Sequence, residues 1–313
     1  MSDALAALAG SFELRLHDAE WPPERADVLR GAAGADGLLV MANDPVDDEL
    51  FDAAGPQLRV VANHAVGYDN VDLAAATRRG VLVTNTPGVL TRATAELTIA
   101  LLLDLLRRVT EGDRFLRSRT PWVWSPTFML GHGLAGKTLG IVGLGRIGRE
   151  VARFAQAFDM RVVYAGRREA ADAPYARLSL EELLSTVDVV SLHCPLTPET
   201  RHLVGGAALK AMRREAVLVN TTRGPVVDEA ALVEALREGE IAGAALDVYE
   251  REPELHPGLF ELENVVLAPH VGSATVEARE AMAGLCVEAL RAVLLEGRCP
   301  ENALNPEALA ARP

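Results

Sequence analysis

Cysteine is scarce in this chain: Cys194, Cys286 and Cys299 are its only three in 313 residues. An odd number without metal-ligand or framework spacing excludes a disulfide scaffold and a thiolate metal cluster, and points to a reducing compartment. The seven histidines show no H-E-x-x-H or related spacing, so no metal site is expected. Long hydrophobic runs are also missing. The most apolar stretch, residues 97–106, is interrupted by Asp104 and is far too short to span a bilayer. The opening MSDALAALAG has no positive n-region, which argues against a secretory signal. Basic residues are outnumbered, 31 Lys and Arg against 44 Asp and Glu, for a net charge of −13. A phosphate backbone or an anionic membrane is bound through excess positive charge, so neither nucleic acid nor membrane is expected as a partner. The expectation is a soluble, cytoplasmic protein.

Hydrophobic residues make up 49% and charged residues 24%, the ordinary balance of globular domains, and 313 residues suit two domains better than one core. No internal repeat or low-complexity segment is visible. In the first third, residues 12–16, 37–41, 59–62 and 81–84 read as buried strands, with helices such as 47–54 and 72–78 between them. Residues 91–109, TRATAELTIALLLDLLRRV, form a helical pattern whose apolar content exceeds one face and calls for burial against a domain or a subunit. The segment 117–136, rich in Pro, Trp and Gly, reads as irregular. A second run then places strands at 138–142, 161–164, 187–192, 216–220, 244–248 and 265–267, with helices between them. Six such strands match a doubly wound parallel sheet. A last helix, 275–296, returns the chain to the first domain.

The strand at 138–142 runs directly into Gly143, Gly145 and Gly148, in GKTLGIVGLGRIG, and a helical pattern follows from Arg149. Strand, G-x-G-x-x-G and helix in that order are the dinucleotide-binding fingerprint. Gly143 permits the tight turn, Gly145 lets the backbone approach a pyrophosphate, and Gly148 allows close packing of helix on strand. The free N–H groups opening the helix at Arg146, Ile147, Gly148 and Arg149 then face the phosphates. About 20 residues on, an NAD-preferring site carries an acidic residue for the ribose hydroxyls. Here the sequence is YAGRRE, with Gly166 in that position and Arg167 and Arg168 beside it. No carboxylate repels a 2′-phosphate there, and two guanidinium groups are at hand to pair with one, so NADP(H) is favoured while NAD(H) stays open.

Further motifs follow: SLHCPLTPETRHLV at 191–204, VLVNTTRGPVVDE at 217–229, ALDVYEREP at 245–253 and APHVGSAT at 268–275. With VGYDNVD at 66–72 and NTPGVLT at 85–91 they resemble the D-isomer-specific 2-hydroxyacid dehydrogenase family, in its glyoxylate and hydroxypyruvate reductase branch, over nearly the whole chain. The resemblance implies a Rossmann-type doubly wound parallel sheet, residues 96–284, inserted in a smaller flavodoxin-like α/β substrate domain, residues 1–95 plus 285–313. It implies a catalytic Arg223, Glu252 and His270. A protonated His270 is suited to donate the proton that quenches the oxygen of a ketone accepting hydride. Glu252, bonded to the ring, favours its protonated form, and Arg223 offers a planar fork of donors to a carboxylate and carbonyl. The backbone amides of Val66 and Gly67 resemble those that hold the substrate carboxylate, and Gly272 and Ser273 those that line the nicotinamide and substrate space. Pro195 is expected beside the adenosine, Thr221 at the cofactor through its backbone, and Asp247 as acceptor for the nicotinamide amide.

The activity implied is NADPH-dependent reduction of a small 2-keto acid, glyoxylate or hydroxypyruvate, to the D-2-hydroxy acid. A D-lactate dehydrogenase of the same family stays open, as does a non-catalytic dinucleotide sensor that binds a protein partner, since such proteins retain the same three residues. The helix at 94–106 suggests a symmetric homodimer. In this branch the segment equivalent to PWVWSPTFMLG, 121–131, can reach a neighbouring subunit's pocket, and Phe128 stands where some hydroxypyruvate reductases carry tryptophan.

Overall fold

The structure, a computed structural model, describes residues 8–17, 21–170 and 172–309. Two compact units are formed, Met1–Leu90 with Ser273–Pro313, and Thr91–Gly272. The dividing points therefore fall at 90/91 and 272/273 and not at the expected 95/96 and 284/285. Thr91–Arg107 and Val276–Leu294 are each a continuous helix, and each stays whole within one unit.

In the first unit β1 (Gly37–Val40), β2 (Val60–Asn63) and β3 (Leu82–Thr84) are parallel and pair in that order. The central strand reads VVAN and is buried at every position, as a strand covered on both faces must be. Val40, Val61 and Val83 meet Leu50, Phe51, Ala75 and Ala76 of the helices Asp48–Ala54 and Leu73–Arg78. On the other face Val60, Ala62 and Leu82 meet Cys286, Val287, Leu290 and Val293 of Val276–Leu294. Asp47 and Asp72 start the two short helices by accepting the amides of Leu50 and Ala75. The strand expected at 12–16 does not form. Phe12 and Leu14 are part-buried against the second face while Glu13 and Arg15 are exposed, so the alternation is real but pairs with no neighbouring edge.

The second unit is one seven-stranded parallel sheet: β4 (Thr138–Val142), β5 (Arg161–Ala165), β6 (Ala176–Arg177), β7 (Val189–Leu192), β8 (Val217–Asn220), β9 (Gly243–Leu246) and β10 (Val265–Leu267). Their spatial order is β10-β9-β8-β7-β4-β5-β6. The chain steps outward from β4 to β6, returns to β7, and steps outward the other way, so the order reverses between β4 and β7. Side-chain period two sorts the core. Val189, Val217, Val219 and Ala245 pack with Leu139, Ile141 and the helices Thr91–Arg107 and Arg146–Ala157; Val190, Leu192, Leu218, Ala244 and Leu246 pack with Leu183, Leu209, Leu232 and Leu236 on the opposite face. The two-residue β6 goes beyond the six strands expected. It is exposed, carries no apolar pattern, and exists only through pairing with Val163 and Tyr164 at the sheet edge.

The helix Thr91–Arg107 buries Ala95, Ile99, Leu101, Leu102 and Leu106 inside its own unit, which accounts for its apolar excess without a second subunit. At Arg108 the chain takes a left-handed turn (φ 56°), and the next helix, Val109–Arg117, buries nothing. Exposed apolar side chains gather here and just beyond: Val109, Leu116, Trp122, Val123, Trp124, Phe128 and Leu130. Phe128 stacks on Trp122 and meets Phe115 edge-on. Among the described residues no helix is long and apolar enough to cross a membrane.

Candidate active site

At the point where the strand order reverses, Gly143 leaves β4 with φ 98°, and a Cβ there would lie 2.7–2.8 Å from the backbone of His193 and Cys194 after β7. Any side chain at 143 would force the two strand ends apart. A Cβ at Gly148 would come within 2.5 Å of the Gly143 carbonyl, so glycine is what seats the helix against the turn. Gly145, by contrast, faces open space. It caps Arg146–Ala157 with no side-chain bond, and the first amide to bond back is that of Arg149, to the Gly145 carbonyl at 2.9 Å. The amides of Arg146, Ile147 and Gly148 are left pointing out of the helix, a fit for a pyrophosphate beside a glycine with room above it.

The turn after β5 is equally open: the nearest atom to a Cβ on Gly166 is the Arg168 carbonyl at 3.9 Å. Arg177 donates to the Gly166 carbonyl at 2.7 and 3.2 Å and to the Arg167 carbonyl at 3.3 Å, holding the turn from one side. Arg167 and Arg168 are exposed and form no ion pair among the described residues. Pro195 is exposed as well, and its carbonyl accepts the Thr200 hydroxyl at 2.7 Å. The hydroxyls of Thr221 and Thr98 bond each other at 2.9 Å, so Thr221 has chiefly its backbone left to offer. His193 bonds the Ser191 hydroxyl at 2.8 Å, and desolvation pushes its pKa down to about 4, leaving a neutral ring beside the glycine turn.

The loop after β8 carries Arg223. Buried Asn220 folds it by donating to the Arg223 carbonyl at 3.0 Å and accepting the Thr222 amide at 3.1 Å, and the Thr222 hydroxyl bonds the Cys194 carbonyl at 2.6 Å. A Cβ on Gly224 would overlap the Tyr249 carbonyl at 1.8 Å, so glycine brings the Arg223 loop directly onto the loop after β9. In that loop Glu252 accepts the Tyr249 amide at 2.9 Å on one oxygen and His270 Nδ1 at 2.6 Å on the other. Buried Glu229 braces both ends of the same loop, accepting the amides of Glu250 (2.8 Å) and His256 (2.5 Å).

His270 follows β10 in a left-handed conformation, φ 53°, uncommon for a side chain of its size. Asp247, fully buried at the end of β9, imposes it. The Asp247 carbonyl accepts the His270 amide at 2.8 Å, and its carboxylate oxygens accept the amides of Val271 and Gly272 at 2.7 Å each. The Tyr249 hydroxyl adds a bond to the Ala268 carbonyl at 2.8 Å. With Nδ1 committed to Glu252, Nε2 of His270 has no hydrogen-bond partner among the described residues. Burial works against the charge of Glu252, but the bond to His270, the His270 and Arg223 charges and the Tyr249 amide outweigh it and hold the carboxyl below its ordinary range. For Asp247 burial wins over its two amide partners and moves the carboxyl upward.

One unit thus brings together Arg223, Glu252, His270, Asp247 and Gly272, while Val66, Gly67 and Ser273 belong to the other. Ser273 accepts the Thr275 amide on its carbonyl at 2.9 Å. Sequence reading missed Asn220, Glu229 and Tyr249. Their only signal was position: a polar residue closing an apolar strand, a carboxylate opening a helix, and an aromatic between two motif residues.

The chain matches the family model described as D-isomer specific 2-hydroxyacid dehydrogenase, NAD binding domain, over residues 99–272. It is 48% identical to a glyoxylate reductase of Thermococcus litoralis, covering 96% of this chain and 93% of the relative, and 48% identical to one of Korarchaeum cryptofilum, covering 99% and 94%. A crystal structure of a Thermus thermophilus protein superposes with a TM-score of 0.91 at 51% identity, covering 96% of each chain. An NADPH-dependent glyoxylate/hydroxypyruvate reductase of Sinorhizobium meliloti, solved with NADP and malonate, superposes at 0.84 with 37% identity, covering 97% of this chain and 94% of that one. With a glycine turn shaped for a dinucleotide and an Arg, a Glu and a His converging from three adjacent loops, the chain belongs to the D-isomer specific 2-hydroxyacid dehydrogenases and is an NAD(P)-dependent enzyme of that family.

Proposed function

We propose that this enzyme reduces a small 2-keto acid, glyoxylate or hydroxypyruvate, to the D-2-hydroxy acid with NADPH as the preferred cofactor. The observation that carries the reading is the 2.6 Å bond from His270 Nδ1 to Glu252, which leaves Nε2 as the proton donor. When bound, a nicotinamide dinucleotide would supply the hydride. His270 delivers the proton to the carbonyl oxygen, so carbon gains hydride, oxygen gains the proton, and the ketone becomes an alcohol. Glu252 keeps the ring oriented and stabilises the charge it carries before transfer. Arg223 pairs with the substrate carboxylate and carbonyl, and the amides of Val66 and Gly67, with Ser273, are the further groups assigned to the substrate. Gly143, Gly145, Arg146, Ile147 and Gly148 are assigned to the pyrophosphate, Pro195 to the adenosine, and Thr221, Asp247 and Gly272 to the nicotinamide end.

Preference for NADPH is supported by the open turn at Gly166 and by Arg167 and Arg168, exposed with no ion pair among the described residues. The enzyme is proposed as a cytoplasmic homodimer. The aromatic and aliphatic side chains exposed between Val109 and Leu130 support a second copy as the partner, since an apolar surface of that kind is costly to leave in water. Initial rates of NADPH and NADH oxidation with glyoxylate, hydroxypyruvate and pyruvate test the reading. Faster turnover of the first two with NADPH is expected; preference for pyruvate would make it a D-lactate dehydrogenase, and cofactor binding without turnover on any of the three would make it a sensor.

A further inference from the structure

The loop after β2, residues 64–67, has every carbonyl from Ala65 to Gly67 tied down from behind. The Ala65 carbonyl accepts the Thr86 amide at 2.9 Å. The Val66 carbonyl accepts Asn85 Nδ2 at 2.8 Å, and the Gly67 carbonyl accepts Asn63 Nδ2 at 2.8 Å. Both asparagines are buried, Asn63 completely and Asn85 to 8% exposure, and they end β2 and follow β3 on adjacent strands. Asn63 is itself held by Asn70, whose Nδ2 donates to Asn63 Oδ1 at 3.3 Å and to the Asp44 carbonyl at 2.9 Å. The amides of Val66 and Gly67, by contrast, have no hydrogen-bond partner among the described residues. The N–H in the same peptide unit as an anchored C=O belongs to the next residue and points the opposite way, so the bonds to Ala65 and Val66 aim the amides of Val66 and Gly67, and the bond to Gly67 aims that of Tyr68; consecutive aimed N–H groups make a site for an anion.

We propose that Asn85 is a positioning residue: by holding the Val66 carbonyl it aims the Gly67 amide, beside the Val66 amide aimed through Ala65, so that the two meet the substrate carboxylate together, while Asn63 braces the next peptide unit. The proposal rests on the reading of those amides as carboxylate donors. Their anchors are neutral donors, so they hold the carbonyls without adding a charge that would compete for the carboxylate. Asn85→Leu keeps the approximate volume, removes the donor to the Val66 carbonyl and adds no charge of its own that would repel the substrate carboxylate.

The test compares glyoxylate with its methyl ester in the NADPH-loaded enzyme, wild type and Asn85→Leu, with Asn85→Ala as a second probe should the first variant fail to fold. A hydrogen bond to a charged group is worth about 1.5–3 kcal/mol, so kcat/KM for glyoxylate is expected to fall about tenfold or more, mostly through KM, while that for the ester changes by less than about threefold. Equal losses on acid and ester would overturn the proposal by giving Asn85 a merely structural role. A wild-type enzyme that turns over both substrates without preferring the acid would instead sink the assignment of Val66 and Gly67 to the carboxylate, and the proposal with it.

Discussion

Two loops follow parallel strands in this molecule and are held in opposite senses. In the loop after β2, asparagine side chains grip backbone carbonyls and the N–H groups are left over. In the loop after β10, the Asp247 carboxylate grips backbone N–H groups, and what is left over is a side chain, His270. The general lesson is one of supply. An amide donor in the core spends carbonyls and frees N–H groups for an anion; a carboxylate spends N–H groups, so that loop acts through the side chain it strains into place. Glu229 repeats the second device on the loop that carries Glu252.

The largest effect is expected in the second loop, which carries the proposed proton donor. His270→Ala removes the proposed proton donor but leaves the glycine turn untouched, so kcat should fall about 10²–10⁴-fold while the Kd for NADPH, read by fluorescence titration, moves less than about twofold. A loss confined to KM would mean that the ring binds substrate and does not transfer the proton. Asp247→Asn is the next step down. It swaps one acceptor for a donor against the Val271 or Gly272 amide, at about 1–3 kcal/mol for a buried bond left unmade, and should lower the thermal midpoint by several degrees together with kcat. An unchanged midpoint with normal turnover would show that the carboxylate does not set the His270 conformation.

Acid separates the two devices more gently, since asparagine does not titrate. Glu252 has a native pKa below its ordinary 4.5, so its contribution to stability is present above that value and is lost as the pH falls through the lowered native pKa. His193 adds an earlier phase. Its ring stays neutral in the fold down to about pH 4, whereas the unfolded chain takes up the proton near 6.5, so stability should decline between those values by up to about 3 kcal/mol. Denaturant unfolding across that window should show the slope in the wild type and a flatter profile in His193→Asn; parallel profiles would mean that the ring charges equally in both states.

Much of this arrangement was legible in the sequence because it depends on local pattern. Short apolar runs located six strands of the larger sheet, and G-x-G-x-x-G after a strand announced a turn in which Gly143 and Gly148 do have no room for a side chain. Other features were not legible. The alternation at 12–16 has the pattern of a strand, but pairing requires a free neighbouring edge that the sequence does not display. The apolar helix at 91–107 suggests a subunit contact, yet its buried face is consumed inside one unit, and the exposed apolar surface lies in the following segment.

What the sequence by itself determined is most of the elements, the dinucleotide turn and the candidates Arg223, Glu252 and His270, because each is written within a dozen consecutive residues. What only the tertiary structure decided is which groups hold them: Asp247 on the amides of Val271 and Gly272, Glu229 on Glu250 and His256, Asn85 on Val66. These bonds join polar atoms 19 to 27 residues apart, and burial without a partner is what a polar group cannot tolerate. The partner is chosen by where the sheet places the strand ends, which no local pattern records.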